Sequence, residues 1–111
     1  MSDCLFCRII AGEIPGDKVY ESDKVFAFRD INPQAPVHVL VVPKKHMANI
    51  LECDGETAAA VTEAIKAIAA QEGVDKTGFR VVTNCGKHAC QSVEHVHFHL
   101  LGGTQMQGRM G

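Results

Sequence analysis

The sequence predicts an α+β domain: a sheet of about five mainly antiparallel strands, with one long and one short helix packed on one side of it. Three observations lead there. Turn-forming residues at Gly12, Pro15-Gly16, Asn32-Pro33, Pro36, Pro43, Asp54-Gly55, Gly73, Gly78, Gly86 and Gly102-Gly103 cut the chain into short segments. Five of these segments have the length and β-branched or aromatic content of strands. One segment is long enough, and regular enough in its apolar spacing, to make a helix of several turns.

Taken in order, Cys4 to Ala11 reads as the short helix, closed by Gly12. Lys18 to Glu21 and Val25 to Arg29 form a hairpin around Ser22-Asp23-Lys24. Val37 to Val42 is the β-branched run best suited to the centre of the sheet. Thr57 to Glu72 is the long helix: Val61, Ile65 and Ile68 fall at helical spacing, alanines fill the turns, Asp54 lies near the start and Gly73 supplies the stop. Phe79 to Thr83 and His95 to Leu101 complete the strands. No repeat or linker interrupts this order, so the 111 residues read as a single domain spanning 1–111.

Composition excludes several functions. Hydrophobic residues make up 46% and charged residues 22%, the balance of a globular chain rather than a disordered one or a coiled coil. The longest apolar run, Val37 to Pro43, is far short of the ~20 residues a membrane span needs. With 11 basic residues against 13 acidic ones, the net charge of −2 disfavours a nucleic-acid partner, which is held by many phosphate contacts. The start, Met1-Ser2-Asp3-Cys4, resembles no export signal, which points to the cytoplasm. In that compartment the five cysteines read as reduced thiols or metal ligands rather than as a disulfide framework.

The chemistry concentrates in His95-Val96-His97-Phe98-His99-Leu100-Leu101. In a strand, alternate side chains share a face, so Val96, Phe98 and Leu100 enter the core while three imidazoles stand in a row about 7 Å apart on the other side. Such a row can be a polar face open to solvent, a three-histidine metal site, or part of an anion-binding catalytic site. The flanks favour the last: Asn84 to Ser92 is a loop of small and amide residues, and Gly102-Gly103 follows the strand, both able to cradle an anion with backbone N–H groups.

The alternating histidines, together with Ile31-Asn32-Pro33-Gln34-Ala35-Pro36-Val37-His38, Val42-Pro43-Lys44-Lys45-His46, Gln91-Ser92-Val93 and Leu101-Gly102-Gly103, resemble the Hint branch of the histidine triad family from about Cys4 to Gln105. The resemblance implies hydrolysis of purine nucleoside 5′-phosphoramidates to a nucleotide and an amine. In that scheme His97 is the nucleophile, one ring N–H being held by a backbone carbonyl of its own strand, and His99, Ser92 and His95 complete the catalytic set. Asn84, Gln91, Ser92, His97 and His99 would meet the phosphate, Asp30 the ribose hydroxyls, and Ile31 and Phe28, with Ile9, the base. Without the resemblance, Asp30 reads as the start of a turn before Asn32-Pro33.

Cys4-x-x-Cys7 has the spacing of half a zinc site, and also that of two ordinary cysteines on a short helix. The resemblance implies a structural Zn²⁺ on Cys4, Cys7, His46 and His95, a catalysis that requires no cofactor, and a homodimer joining two sheets through the long helix and a neighbouring strand. Two other functions stay open: hydrolysis of dinucleoside polyphosphates, and purine-nucleotide binding without chemistry. The chain departs from the family pattern at Cys90, where glycine is usual, at Glu94 before the triad, and in its ending, Gly108-Arg109-Met110-Gly111, which has no tryptophan.

Overall fold

The computed structural model describes residues 3–108; Met1, Ser2 and the Arg109–Gly111 end of the tail lie outside them. Five strands, β1 (Lys18–Glu21), β2 (Val25–Arg29), β3 (Val37–Pro43), β4 (Phe79–Val82) and β5 (Phe98–Gly102), form one antiparallel sheet in the order β1-β2-β3-β5-β4. Two α-helices, α1 (Leu5–Ile10) and α2 (Gly55–Gln71), accompany it. The expected α+β class and strand count are therefore those of the described residues.

α2 begins where Asp54 accepts the Thr57 amide at 2.7 Å, satisfying one of the donors every helix start leaves open. It ends at Gly73, whose φ of +75° lets the chain turn away. Between these stops Val61, Ala64, Ile68 and Ala69 pack onto Val25, Ala27, Val39, Val41 and Leu100. Each large side chain fully buried there, such as Ile68 or Leu100, contributes about 1.5–3 kcal/mol.

The helices do not share a side of the sheet, which corrects the sequence expectation. Phe26, Phe28, Leu40 and Val42 alternate with the residues facing α2, and they pack with Phe6 and Ile9 of α1 on the opposite face.

 Val42 belongs to this second cluster because β2 and β3 are apolar on both faces, and a strand of that kind needs a cover on each.

A second correction concerns β5. It begins at Phe98, not His95, because only from there does the chain pair with β3, Phe98 lying opposite Val41. The preceding residues run beside the loop after β3 instead: the Val96 amide donates to the Met47 carbonyl at 2.7 Å. Glu94 is exposed at the entry to this segment.

Candidate functional site

The face covered by α1 carries a cavity of about 760 Å³, within the range of small-molecule sites. Its walls come from α1 (Leu5, Phe6, Ile9), the loop before β1 (Ile14 to Asp17), the end of β2 with the following turn (Phe28 to Asn32), and Ser92, Val93, His97 and His99. Gly16 makes a close approach in this wall, since a Cβ there would stand 2.8 Å from Ile9 Cγ2 and push that side chain aside. Ile31, 91% exposed, forms an apolar rim.

His97 is buried, with its ring nearly perpendicular to that of Phe6 at a centroid separation of 5.0 Å. Its Nδ1 lies 2.8 Å from the His95 carbonyl oxygen. A carbonyl only accepts, so Nδ1 carries the proton and Nε2 keeps its lone pair. Thr83 Oγ1 donates to the His97 carbonyl at 2.7 Å and fixes the backbone as well. The imidazoles therefore do not form a polar face open to solvent.

The protonation of His99 is set from farther away. The Gln34 amide donates to His38 Nδ1 at 3.0 Å, which makes His38 Nε2 the protonated nitrogen, and that nitrogen donates to His99 Nδ1 at 2.9 Å. His99 is left with Nε2–H as its donor. Burial pushes the pKa of His38 below that of an ordinary imidazole, with Asp30 opposing. Burial does the same to His99, helped by His97 and His38 and opposed by Asp30. His38 is the residue that sequence reasoning passed over; its signal was a histidine inside the apolar run of β3, where an unpartnered ring would be costly.

Asp30 satisfies both of its readings. Oδ1 accepts the Asn32 amide at 2.8 Å, closing the turn, while Oδ2 lies 3.4 Å from His38 Nε2 and the residue lines the cavity. Asp30, His38 and His99 offer one ligand atom each within 4.8 Å, yet the Gln34 amide keeps the proton on the His38 nitrogen that would have to bind a metal. This trio is a hydrogen-bond chain.

Of the residues the sequence assigned to the nucleotide, Phe28, Asp30, Ile31, Ser92, His97 and His99 line one cavity, with Ile9 beside them. Asn84 and Gln91 do not line it. The Gln91 amide is fully engaged in the loop: Nε2 donates to the carbonyls of Ala48 (2.6 Å) and Val93 (3.0 Å), and Oε1 accepts the Gly86 amide. Its part is to hold the loop that presents Ser92. Cys90 is exposed outside the cavity and adopts the left-handed conformation, φ 60° and ψ 39°, the backbone reason a glycine suits this position.

His95 is fully buried, and its ring turns away from the cavity. Nε2 donates to the Pro43 carbonyl at 2.7 Å, so Nδ1 presents a lone pair, 3.2 Å from Cys4 Sγ and 3.5 Å from Cys7 Sγ. His46 Nδ1 lies 3.4 Å from Cys7 Sγ, and one donor atom from each of the four residues falls within 4.8 Å of the others. Ligands on a tetrahedral zinc ion stand about 3.5 Å apart, sulfur to nitrogen, so the donor set and its spacing fit zinc. The Pro43 carbonyl supplies the outer contact that orients a metal-binding imidazole. The helical spacing contributes too: Cys4 caps α1, and its Sγ accepts the Cys7 amide at 3.4 Å.

Comparison with known proteins identifies the family. The profile of the HIT domain matches residues 11–106. The 14 kDa zinc-binding protein of Brassica juncea is 46% identical over 109 residues, covering 94% of this chain and 96% of that protein. The purine nucleoside phosphoramidase of Escherichia coli K12 is 44% identical over 108 residues, covering 94% and 90%. The crystal structure of a HIT family hydrolase from Legionella pneumophila superposes with a TM-score of 0.94 at 45% identity, over 98% of this chain and 100% of that one. A profile match over most of the chain, and relatives this similar along nearly their whole length, establish that the chain belongs to the HIT domain family.

Proposed function

We propose that this chain hydrolyses purine nucleoside 5′-phosphoramidates, releasing AMP or GMP and an amine through a covalent nucleotidyl intermediate on His97. The observation that carries the reading is the His97 Nδ1–H bond to the His95 carbonyl, which leaves Nε2 as a nucleophile in a cavity that also contains Asp30 and His99. The name of the Escherichia coli relative supports the substrate class.

In this scheme the base lies among Ile9, Phe28 and Ile31, and the ribose hydroxyls donate to the Asp30 carboxylate. His97 Nε2 forms a bond to the α-phosphorus as the P–N bond breaks, and the amine departs with a proton taken from solvent, which the attacking water of the second step gives back. His99 Nε2–H, held in that form by His38, donates to a phosphate oxygen as charge develops. Ser92 stands on the leaving-group side. Water then attacks phosphorus, the P–Nε2 bond breaks, and the nucleotide leaves with His97 restored.

Zinc held by Cys4, Cys7, His46 and His95 would be structural: four protein donors leave no position for substrate, and the catalytic steps need no cofactor. We further infer that the whole chain acts as one domain in the cytoplasm, as a homodimer. The edge strand β4, with Phe79 39% and Val81 40% exposed, supports a junction of two sheets there. No helix among the described residues is long and apolar enough to cross a membrane, and the net charge of −2 suits a small anionic substrate better than a nucleic acid.

The test is amine release from an adenosine 5′-phosphoramidate by the wild type and by His97→Ala. Turnover by the wild type, reduced at least about 10³-fold in the variant, is expected. Cleavage of diadenosine polyphosphates in its place would transfer the assignment to that reaction. AMP binding with no turnover of either substrate would make the chain a binding module.

A further inference from the structure

We propose that the cysteine–histidine cluster and the nucleotide cavity are thermodynamically coupled, so that zinc in the cluster tightens nucleotide binding and nucleotide tightens the hold on zinc. The inference rests on the reading of the cavity as a nucleotide site, and two connections on opposite sides of His97 carry it.

The first is α1. Cys4 caps this helix and Cys7 lies within it, while Leu5, Phe6 and Ile9 of the same six residues line the cavity. Phe6, between the two cysteines, holds its ring nearly perpendicular to that of His97, with centroids 5.0 Å apart. A helix of six residues has little stability of its own, far below the roughly 12–15 residues at which isolated helices become marginal. Its order must come from what it touches. Zinc would fasten its start to His46 and His95, and a bound base would press on Leu5 and Ile9. Each ligand orders the element the other needs, so the second to bind loses less conformational freedom.

The second connection is His95. Its side chain faces the cluster through Nδ1, and its backbone carbonyl accepts the proton that fixes the His97 tautomer. Displacing the His95 ring from the two sulfurs shifts the residue whose carbonyl holds His97. Cys4, Cys7 and His46 are thereby positioning residues for the cavity, although none of the three is needed as a group that touches phosphate.

Linkage makes the effect reciprocal: the factor by which zinc raises the affinity for AMP equals the factor by which AMP raises the affinity for zinc. A factor of about 5–150 is the usual range for coupled sites, and we expect this pair to fall within it.

The experiment uses zinc-loaded full-length protein and AMP. Zinc released to a chromophoric chelator is read at equilibrium with and without saturating AMP, against a blank of zinc, chelator and AMP alone. AMP affinity is measured by calorimetry for the loaded protein, for protein stripped by chelation, and for His46→Gln at low and saturating zinc. The expected results are tighter retention of zinc against the chelator in the presence of AMP, a Kd for AMP raised on stripping by the same factor as zinc affinity is raised by AMP, and recovery of AMP affinity in His46→Gln as zinc saturates. That recovery separates coupling from a merely damaged fold. Zinc release indifferent to AMP, with AMP bound normally, overturns the coupling and leaves the nucleotide reading intact. Failure of the loaded protein to bind AMP overturns the nucleotide reading itself, and failure to bind zinc overturns the cluster on which the coupling depends. The release assay needs only the folded, loaded protein, so it decides the matter even if stripping unfolds the chain.

Discussion

His38 presents two ring nitrogens, and the Gln34 amide 3.0 Å from one of them can only donate. That single contact settles the protons of two imidazoles, because His38 must then donate to His99. His38→Phe removes the donor and frees His99 to protonate either nitrogen. We predict a fall of about tenfold or more in kcat, the effect of losing roughly 1.4 kcal/mol of a hydrogen-bonded arrangement, with a smaller change in KM. Steady-state kinetics on an adenosine phosphoramidate would check it, and unchanged kcat would remove His38 from the machinery. Cys90 offers a stability prediction at the same scale. Its left-handed backbone costs a side-chain-bearing residue roughly 1–2 kcal/mol, and glycine returns about 0.5–1 kcal/mol of that as chain entropy. Cys90→Gly should therefore raise stability by about 0.5–1 kcal/mol in denaturant titration, with little effect on turnover since Cys90 lies outside the cavity.

The elements were largely legible because their signals are local. Asp54 and Gly73 bracket α2, and turn residues separate β1 from β2. The alternation of His95, His97 and His99 pointed to rings on one side of the chain, and His97 and His99 do line one cavity while the His95 ring turns away from it; periodicity says nothing about which backbone lies alongside. That is why β5 starts later than its pattern suggests, with Val96 bonded to Met47 instead of to a strand. The two-sided covering of the sheet was also present in the sequence, in the apolar runs Val25 to Phe28 and Val39 to Val42, where successive residues on both faces are apolar. His38 was hidden for the opposite reason: Gln34 is a local partner, but His99, the ring it donates to, meets it only after β3 and β5 pair. At α1 the cluster yields a direct test. Cys4→Ser with Cys7→Ser should abolish stoichiometric zinc, seen by native mass spectrometry, and lower Tm by at least about 5 °C, since metal binding to a small domain adds to its folding free energy. Equal melting of the variant and the zinc-loaded wild type would dispose of the clip.

Over the whole molecule, the buried imidazoles tie stability to pH. His38 and His99 have folded-state pKa values below the ordinary 6.5, chiefly because burial disfavours their charged forms. The unfolded chain, with ordinary imidazoles, therefore binds more protons than the folded one as pH falls below about 6.5. The stabilisation from these groups is complete above that pH and is lost as pH drops from there through their folded values. Asp30, which favours the charged form of both rings, softens the loss without reversing its sign. We predict that Tm is flat near pH 7.5 and declines steadily toward pH 5. Release of zinc in acid would produce a similar decline, because its ligands must be deprotonated to bind. The Cys4→Ser, Cys7→Ser protein separates the two causes: a slope that survives in it belongs to the buried imidazoles, and His38→Phe in that background should make it shallower. A Tm independent of pH across this interval in the double-serine protein would mean that the buried rings accept protons without cost, against the desolvation that their position in the fold imposes.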